Sequence, residues 1–551
     1  MKKKVLVLSA LAVLSLVGCT ARGYSSSNPA DSTGRESTKQ DGSSTSTGSG
    51  NNYGGQVFDD LDNVQIRVAY GVDSENIIRA EIQVADNKVV KARFDEVKFD
   101  SDYTGAIKSD VTQGENVISG EVDKWGKKSM AHRAKYITVD GKVWTGSYAD
   151  GKFTYKNGDD SFNDYYSSFA KDEDALLANQ DKLASLYYSL VNNYVYASDK
   201  DGKKDESIAI NTYSKASYDT NYWVVDNESK KQIEGSQWKW NVYKIEDALK
   251  GKNLADTATI QKLTRKDSQG KSSFTWVVNG VDTGATLTAG EIYVKLAQLA
   301  FKGETHASVS YSPDMSSDTV GGNKACIAKV ELVCDEHNKV KKAFLNETVE
   351  FLGYYAMVPD GESVSYPTVD YKFKGYGTVQ GKVAKYLSVD GTIFTADPYT
   401  DETIAQFDPA SWSASGINDA YEYYTSNVSR SADFYNAVFE HQVRISSDAN
   451  GEETFPAILK YTTATKAEYG NTYWSGKAED PKTLDGSHWK WNIQKVEKSF
   501  EGIDFKTLNP SFGQNADGNK DWNFNDTATG ATLVEYPSWV RIALLAGSYL
   551  K

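Results

Sequence analysis

The stretch Gly235-Ser-Gln-Trp-Lys-Trp-Asn-Val-Tyr-Lys-Ile-Glu246 returns about 250 residues later as Gly486-Ser-His-Trp-Lys-Trp-Asn-Ile-Gln-Lys-Val-Glu497. Around it, Ala134-Lys-Tyr-Ile-Thr-Val-Asp-Gly141 returns as Ala384-Lys-Tyr-Leu-Ser-Val-Asp-Gly391, and Tyr222-Trp223 as Tyr473-Trp474. Exchanges such as Ile for Leu and Thr for Ser keep volume and face, as two copies of one fold require. So long a period excludes a solenoid and implies two tandem homologous domains, one over 56–302 and one over 325–551, with a joint rich in Ser, Gly and Asp at 303–324.

Within copy one, Ile78, Ala80, Ile82 and Val84 alternate with Arg79, Glu81 and Gln83, and Asp86-Asn87 supplies a turn before Lys88-Val-Val-Lys-Ala-Arg-Phe94. That pattern predicts a strand hairpin. Copy two repeats it with 330–333, a turn at 335–338 and 339–345. Leu176, Leu183, Leu186 and Leu190 share one side of an expected helix over 174–195, and 431–442 is its weaker counterpart. Strands with a few helices, in two domains, make an α+β class. Trp238 and Trp240, like Trp489 and Trp491, stand two apart, which predicts extended chain burying both rings with Lys239 and Lys490 outside.

Near the end of each copy a Gly-Ala-Thr string precedes a helical pattern: Asp282-Thr-Gly-Ala-Thr286 and Asp526-Thr-Ala-Thr-Gly-Ala-Thr532. Thr288-Ala-Gly-Glu291 has capping-box spacing ahead of Ile292, Leu296, Leu299 and Ala300; Pro537 opens a helix with Val540, Ala543 and Leu544 inside. A hydroxyl just before a helix N-terminus, beside a glycine that lets the backbone come close, suits a phosphate.

These residues resemble the covalent FMN-binding domain family, found in flavinylated subunits of the sodium-pumping NADH:quinone reductase and Rnf complexes and in lipoproteins of extracellular electron transfer. Its motif is Asp, two free positions, Ser or Thr, then Gly-Ala-Thr. Asp526, Thr529, Gly530, Ala531 and Thr532 match it position by position. Copy one matches at Thr283, Gly284, Ala285 and Thr286, with Gly280 in the Asp position and an acid at Asp282. The Asn-Lys-Val turns at 87–89 and 338–340 are also similar to the start of that family. The resemblance covers the ends of each copy and not the roughly 150 residues between them. It implies FMN esterified to Thr532 and, in copy one, to Thr286. It also implies an FAD-dependent flavin transferase that uses Mg²⁺ and releases AMP, with Asp526 facing the metal or the incoming phosphate. The paired tryptophans would then offer the flavin a stacking platform.

The N-terminus reads as an address. Lys2, Lys3 and Lys4 precede an apolar run over 5–17, too short to span a bilayer, which predicts a signal peptide over 1–18. Leu16-Val17-Gly18-Cys19 resembles a bacterial lipobox, which implies a diacylated Cys19 and an extracytoplasmic protein anchored to the cytoplasmic membrane. Between 20 and 54, 23 of 35 residues are Ser, Thr, Gly or Asn, so 19–55 is expected to be a flexible tether. Such a coil reaches roughly 30–35 Å.

Lys and Arg number 61 against 75 Asp and Glu, a net charge of −14 that argues against a nucleic-acid partner. Cys326 and Cys334 fall on the buried side of one alternating strand, about 26 Å apart when extended, and read as inert core thiols. The five histidines lack metal-ligand spacing, and neither a phosphate-cradling P-loop nor a Gly-x-Ser-x-Gly elbow occurs. A self-contained catalytic apparatus is not evident. The expectation is therefore a redox carrier that takes electrons from a membrane donor, an NADH dehydrogenase or the quinone pool, and passes them outward. The alternative is a non-redox surface lipoprotein that binds a glycan or peptide through aromatic-rich faces.

Overall fold

Alternating side chains and left-handed turns build the centre of the molecule. The computed structural model describes residues 63–551 except 100–103, 109, 125, 193, 211–213, 217–236, 257–259, 267–269, 271, 288, 314–325, 349–350, 360, 375–377, 398–410, 451–453, 456–464, 470–487, 515–520 and 534–535. The expected signal peptide, Cys19, the tether, Tyr222-Trp223 and Tyr473-Trp474 lie outside the described residues.

Strands β1 (Gln65–Asp73), β2 (Asn76–Ala85) and β3 (Lys88–Lys98) form an antiparallel meander. The chain turns from β2 to β3 through Asp86 and Asn87, whose φ of 48° and 57° give the twist a two-residue hairpin needs. Strands β4 (Ala307–Pro313), β5 (Ile327–Cys334) and β6 (Val340–Glu347) run in the same antiparallel way. Cys326 and Cys334 are both buried, as expected, and burial pushes the Cys334 thiol up to about 12.

β1 pairs antiparallel with β4, Arg67 opposite Ser308, so six strands make one sheet in the order β6-β5-β4-β1-β2-β3. This corrects the first part of the expected joint, 303–313; 314–324 lies outside the described residues. Gly303 caps a helix there and Ala307–Pro313 is a strand, so the copies are not two bodies on a linker. Ala307, Val309 and Tyr311 are buried and alternate with serines; the serine-rich composition masks an ordinary strand period.

Among the described residues six long helices cover the sheet: α1 (Gln180–Val191), α2 (Gln237–Leu249), α3 (Gly290–Lys302), α4 (Val428–Phe439), α5 (His488–Phe500) and α6 (Tyr536–Ser548). α2 and α3 pack over β1 to β3, and α5 and α6 over β4 to β6, on the face that carries Ile78, Ala80 and Ile82 and also Val330 and Leu332. α1 and α4 lie on the other face, where one core joins Ile66, Val68 and Leu186 to Val309, Phe434 and Val438. Helices and strands in these proportions are the expected α+β class, and the described residues belong to one compact unit. The helix expected over 174–195 is two pieces, Glu173–Ala178 and α1, because Asn179 leaves the helical region at φ −117° and ψ 23°. The repeated Ala134 and Ala384 stretches are strands, Tyr136–Val139 and Tyr386–Val389, each ending in a left-handed Asp-Gly turn at Asp140-Gly141 and Asp390-Gly391.

The polar side of β2 does not face water. Arg79 and Glu81 are buried beneath α1 and α4, together with Lys329 and Glu331 of β5. Glu331 accepts from Arg79 Nη2 at 2.7 Å, from Tyr188 Oη at 2.6 Å and from Tyr70 Oη. Glu81 accepts from Tyr311 Oη at 2.6 Å, Arg79 Nη2 at 2.9 Å and Asn436 Nδ2 at 3.2 Å. Each carboxylate thus draws partners from the opposite copy. Burial alone would raise the Glu331 carboxyl, but Arg79 and Lys329 outweigh it and hold it below its ordinary value. Burial, with Arg79 beside it, draws the Lys329 ammonium down to about 7.

Removing one member of such a cluster strands the others without compensation. Glu331→Ala is expected to cost about 3–5 kcal/mol. Urea unfolding of this variant and of the parent, followed by circular dichroism and by tryptophan fluorescence, should give one coincident transition. Two separate transitions would show that the copies unfold independently.

Candidate functional site

The repeated Trp-Lys-Trp-Asn segment is helical, which corrects the expected strand. Trp238, Val242, Ile245 and Leu249 recur with helical period and bury one face of α2; Trp489, Ile493, Val496 and Phe500 do the same for α5. The two-residue spacing of the tryptophans covers too short a window to reveal that period. Trp238 is buried and donates its indole N–H to Glu96 at 3.1 Å, and Trp489 donates to Glu347 at 2.7 Å. Trp240 and Trp491 are only half-buried.

Lys239 and Lys490, expected outside, are 2% and 0% exposed. Lys239 Nζ donates to the carbonyl of Glu440, just past α4, at 2.8 Å. Lys490 Nζ donates to that of Asn192, just past α1, at 3.1 Å. An ammonium suits a helix C-terminus, where carbonyls lack intrahelical partners. Glu246 Oε1 accepts the N–H of Phe94 on β3 and Glu497 Oε1 that of Leu345 on β6, both at 2.8 Å. Burial pushes each of these carboxyls up to about 8.

The same helices reach the Gly-Ala-Thr loops. In copy one the loop follows the strands Ser272–Val278 and Val281–Asp282; in copy two it follows Trp522–Phe524 and Thr527–Ala528. Trp276 N–H donates to the Ala285 carbonyl at 3.2 Å, its indole N–H to the Leu287 carbonyl at 2.5 Å, and its own carbonyl accepts from Thr283 Oγ1 at 2.8 Å. Trp522 makes the matching bonds to Ala531 at 3.0 Å, Leu533 at 2.5 Å and Thr529 Oγ1 at 2.8 Å. Thr283 and Thr529 therefore pin the loop, while Ala285 and Ala531 are fully buried beneath it.

The last threonine of each loop is presented the same way. Asn241 Oδ1 accepts both the Thr286 N–H at 2.7 Å and the Thr286 hydroxyl at 3.2 Å. Asn492 Oδ1 accepts the Thr532 N–H at 2.8 Å and its hydroxyl at 3.1 Å. Both asparagines are buried and both threonines are half-buried. Lys244 Nζ donates to the Gly284 carbonyl at 2.9 Å and stands 3.0 Å from the centre of the Trp240 ring. Lys495 Nζ donates to the Gly530 carbonyl and stands 3.2 Å from the Trp491 ring centre. Gly284 and Gly530 have φ of 67° and 69°, so a side chain at either would be strained, and at 530 its Cβ would also crowd the lysine nitrogen.

Of the expected site residues, Thr283, Gly284, Ala285, Thr286, Thr529, Gly530, Ala531 and Thr532 come together in these loops. Asp282 Oδ1 accepts from Thr275 Oγ1 at 2.9 Å and Gly284 N at 3.0 Å. Asp526 is exposed in a left-handed turn at φ 61°. The expected capping box is replaced by Ala289 at the N-cap of α3 with no side-chain bond; Thr288 lies outside the described residues. Asn241, Asn492, Lys244, Lys495, Trp276 and Trp522 went unrecognised in the sequence. The signal was there: the first four sit in the repeated segment, and the two tryptophans stand equally far before their threonines.

A secondary hydroxyl, an ammonium and a half-exposed indole, gathered around a glycine, fit a phosphate ester joined to a flat ring system. No protein-family model, no curated protein and no solved structure matches the chain.

The raised carboxyls set a pH dependence. A folded-state value near 8 against an ordinary 4.5 means that Glu246 and Glu497 favour the fold most below about pH 4.5 and lose that contribution as pH rises through about 8. The parent should therefore lose more stability between pH 5 and about pH 8.5 than the Glu246→Gln/Glu497→Gln variant, which keeps both acceptors without a titrating group. Parallel urea titrations at the two pH values check this; equal losses would contradict it.

Proposed function

We propose that the chain is a membrane-anchored extracytoplasmic flavoprotein that carries FMN esterified to Thr532 and Thr286 and relays electrons from a membrane donor to acceptors outside the cell. The observation that supports this most is the repetition of one constellation at both threonines: asparagine on hydroxyl and amide, lysine on the glycine carbonyl, tryptophan beside the lysine. A turn with no task beyond reversing the chain needs none of the three.

The attachment step balances as a phosphoryl transfer. The threonine oxygen attacks the FMN phosphorus of FAD, a new P–O bond forms, the pyrophosphate P–O bond breaks, and AMP leaves with the bridging oxygen while the hydroxyl proton is released. Asn241 and Asn492 accept hydrogen bonds from the hydroxyls, but an amide carbonyl is too weak a base to take that proton. The base and the Mg²⁺ therefore belong to a flavin transferase partner. Once attached, the isoalloxazine supplies the redox chemistry and the chain supplies binding and orientation. A covalent link suits a protein outside the cytoplasm, where a reversibly bound cofactor is lost as its free concentration falls.

The alternative of an aromatic face for glycans or peptides draws no specific support. Among the described residues many of the large aromatics turn inward: Trp144, Trp539, Tyr70, Tyr155, Tyr187 and Tyr311 are among the most deeply buried side chains.

Coexpression with a flavin transferase should yield a protein band that keeps flavin fluorescence after denaturation, with two flavins per chain by intact mass. Thr286→Val and Thr532→Val should each remove one, and the double variant both. A parent chain without bound flavin under these conditions would overturn the proposal.

A further inference from the structure

The repeated helices carry two kinds of lysine, and the structure gives them different work. Lys239 and Lys490 are spent inside, on the carbonyls of Glu440 and Asn192. Lys244 and Lys495 are half-buried, one helical turn beyond Trp240 and Trp491, and sit against the glycine two residues before each threonine. Nothing in the motif Asp-x-x-Thr-Gly-Ala-Thr points to them, since they are some 40 residues away in the chain.

Resting on the assignment of Thr286 and Thr532 as flavin acceptors, we propose that Lys244 and Lys495 are the cations that bind the phosphate of the incoming dinucleotide, while the Trp240 and Trp491 indoles form the platform on which its flavin ring lies. Three features favour this. The chain carries a net charge of −14, so an anionic dinucleotide needs a local positive group at each acceptor. The nearby Asp282 carboxylate is turned into the loop, on Thr275 and Gly284. Glycine at 530 leaves room at the ammonium that a Cβ would narrow to 3.2 Å, and the positive φ at both 284 and 530 disfavours any side chain beside the lysine. Burial also draws the Lys244 ammonium below its ordinary value, a cost that a bound phosphate would offset.

The test uses the full chain with purified flavin transferase, FAD and Mg²⁺, reading covalent flavin against time in Thr532→Val and Thr286→Val backgrounds so that each site is seen alone. Lys244→Gln should slow loading of Thr286 by about tenfold or more and flatten its salt dependence, with Lys244→Arg restoring both. Lys495→Gln and Lys495→Arg should do the same at Thr532. Glutamine keeps a donor for the glycine carbonyl, so a lysine that only braces the loop would not give this result. Trp240→Leu should brighten the flavin at Thr286, because a stacked indole quenches it. Loading of the Gln variants at the parental rate with parental salt dependence would overturn the role of the lysines while leaving the acceptors intact. Failure of the parent to load would overturn the acceptor assignment itself. Should a Gln variant fold poorly by circular dichroism, loading of the parent that ignores salt, or an Arg variant that stays slow, would equally count against the lysines.

Discussion

Glu331 is a carboxylate with no exposed surface, and a charge so placed is tolerable only among partners. Those partners span the chain: Tyr70, Arg79 and Tyr188 come from the first copy, and Lys329 stands two residues away on its own strand. The sheet register follows from this. Side chains alternate along a strand, so a one-residue shift would turn Glu331 or Arg79 onto the face occupied by Ile78 and Val330. Packing on both faces and the buried charges agree on the one register, which places Arg67 opposite Ser308.

The same logic extends outward to the candidate sites. Lys239 ties the helix that holds Asn241 to the end of α4 in the other copy, and Lys490 ties the helix that holds Asn492 to the end of α1. Each threonine therefore rests on an asparagine whose helix is anchored across the molecule. The repeated segment keeps its residues because each has a separate partner: Trp238 on Glu96, Lys239 on Glu440, Asn241 on Thr286, Lys244 on Gly284 and Glu246 on Phe94. Five contacts, to β3, to the Gly-Ala-Thr loop and to the end of α4, leave little room for drift.

What the sequence disclosed was local. The β2–β3 hairpin was legible because alternation and a left-handed Asp-Asn turn are written within a dozen residues, and the Gly-Ala-Thr loops because a positive-φ glycine and a pinned threonine are near neighbours. What it concealed was long-range. Arg79 and Glu81 alternate with apolar residues, and nothing nearby in the chain discloses that Tyr311, Glu331 and Asn436, more than 200 residues away, bury and pair them. The Trp-Lys-Trp helix was misread on a three-residue window, although Val242, Ile245 and Leu249 complete its inner face. The joint was misread on composition, since three buried side chains suffice to make β4 a strand.

Among the differences between the two loops, the shared geometry isolates the place of the acidic residue. Asn279 and Gly280 have φ of 47° and 79°, and Asn525 and Asp526 have 46° and 61°, so the turn ahead of each Gly-Ala-Thr is left-handed at both of its central residues. Glycine and aspartate both enter that region at modest cost, and Gly280 in place of Asp526 leaves the loop shape unchanged. The carboxylates are then free to differ in place. In copy one Asp282 closes the loop on Gly284, whereas in copy two Ala528 holds the corresponding position and Asp526 stands exposed at the turn. Threonine, asparagine, lysine and tryptophan are alike at the two sites, so a transferase that tells them apart would be responding to where that one negative charge lies and not to how the hydroxyl is held.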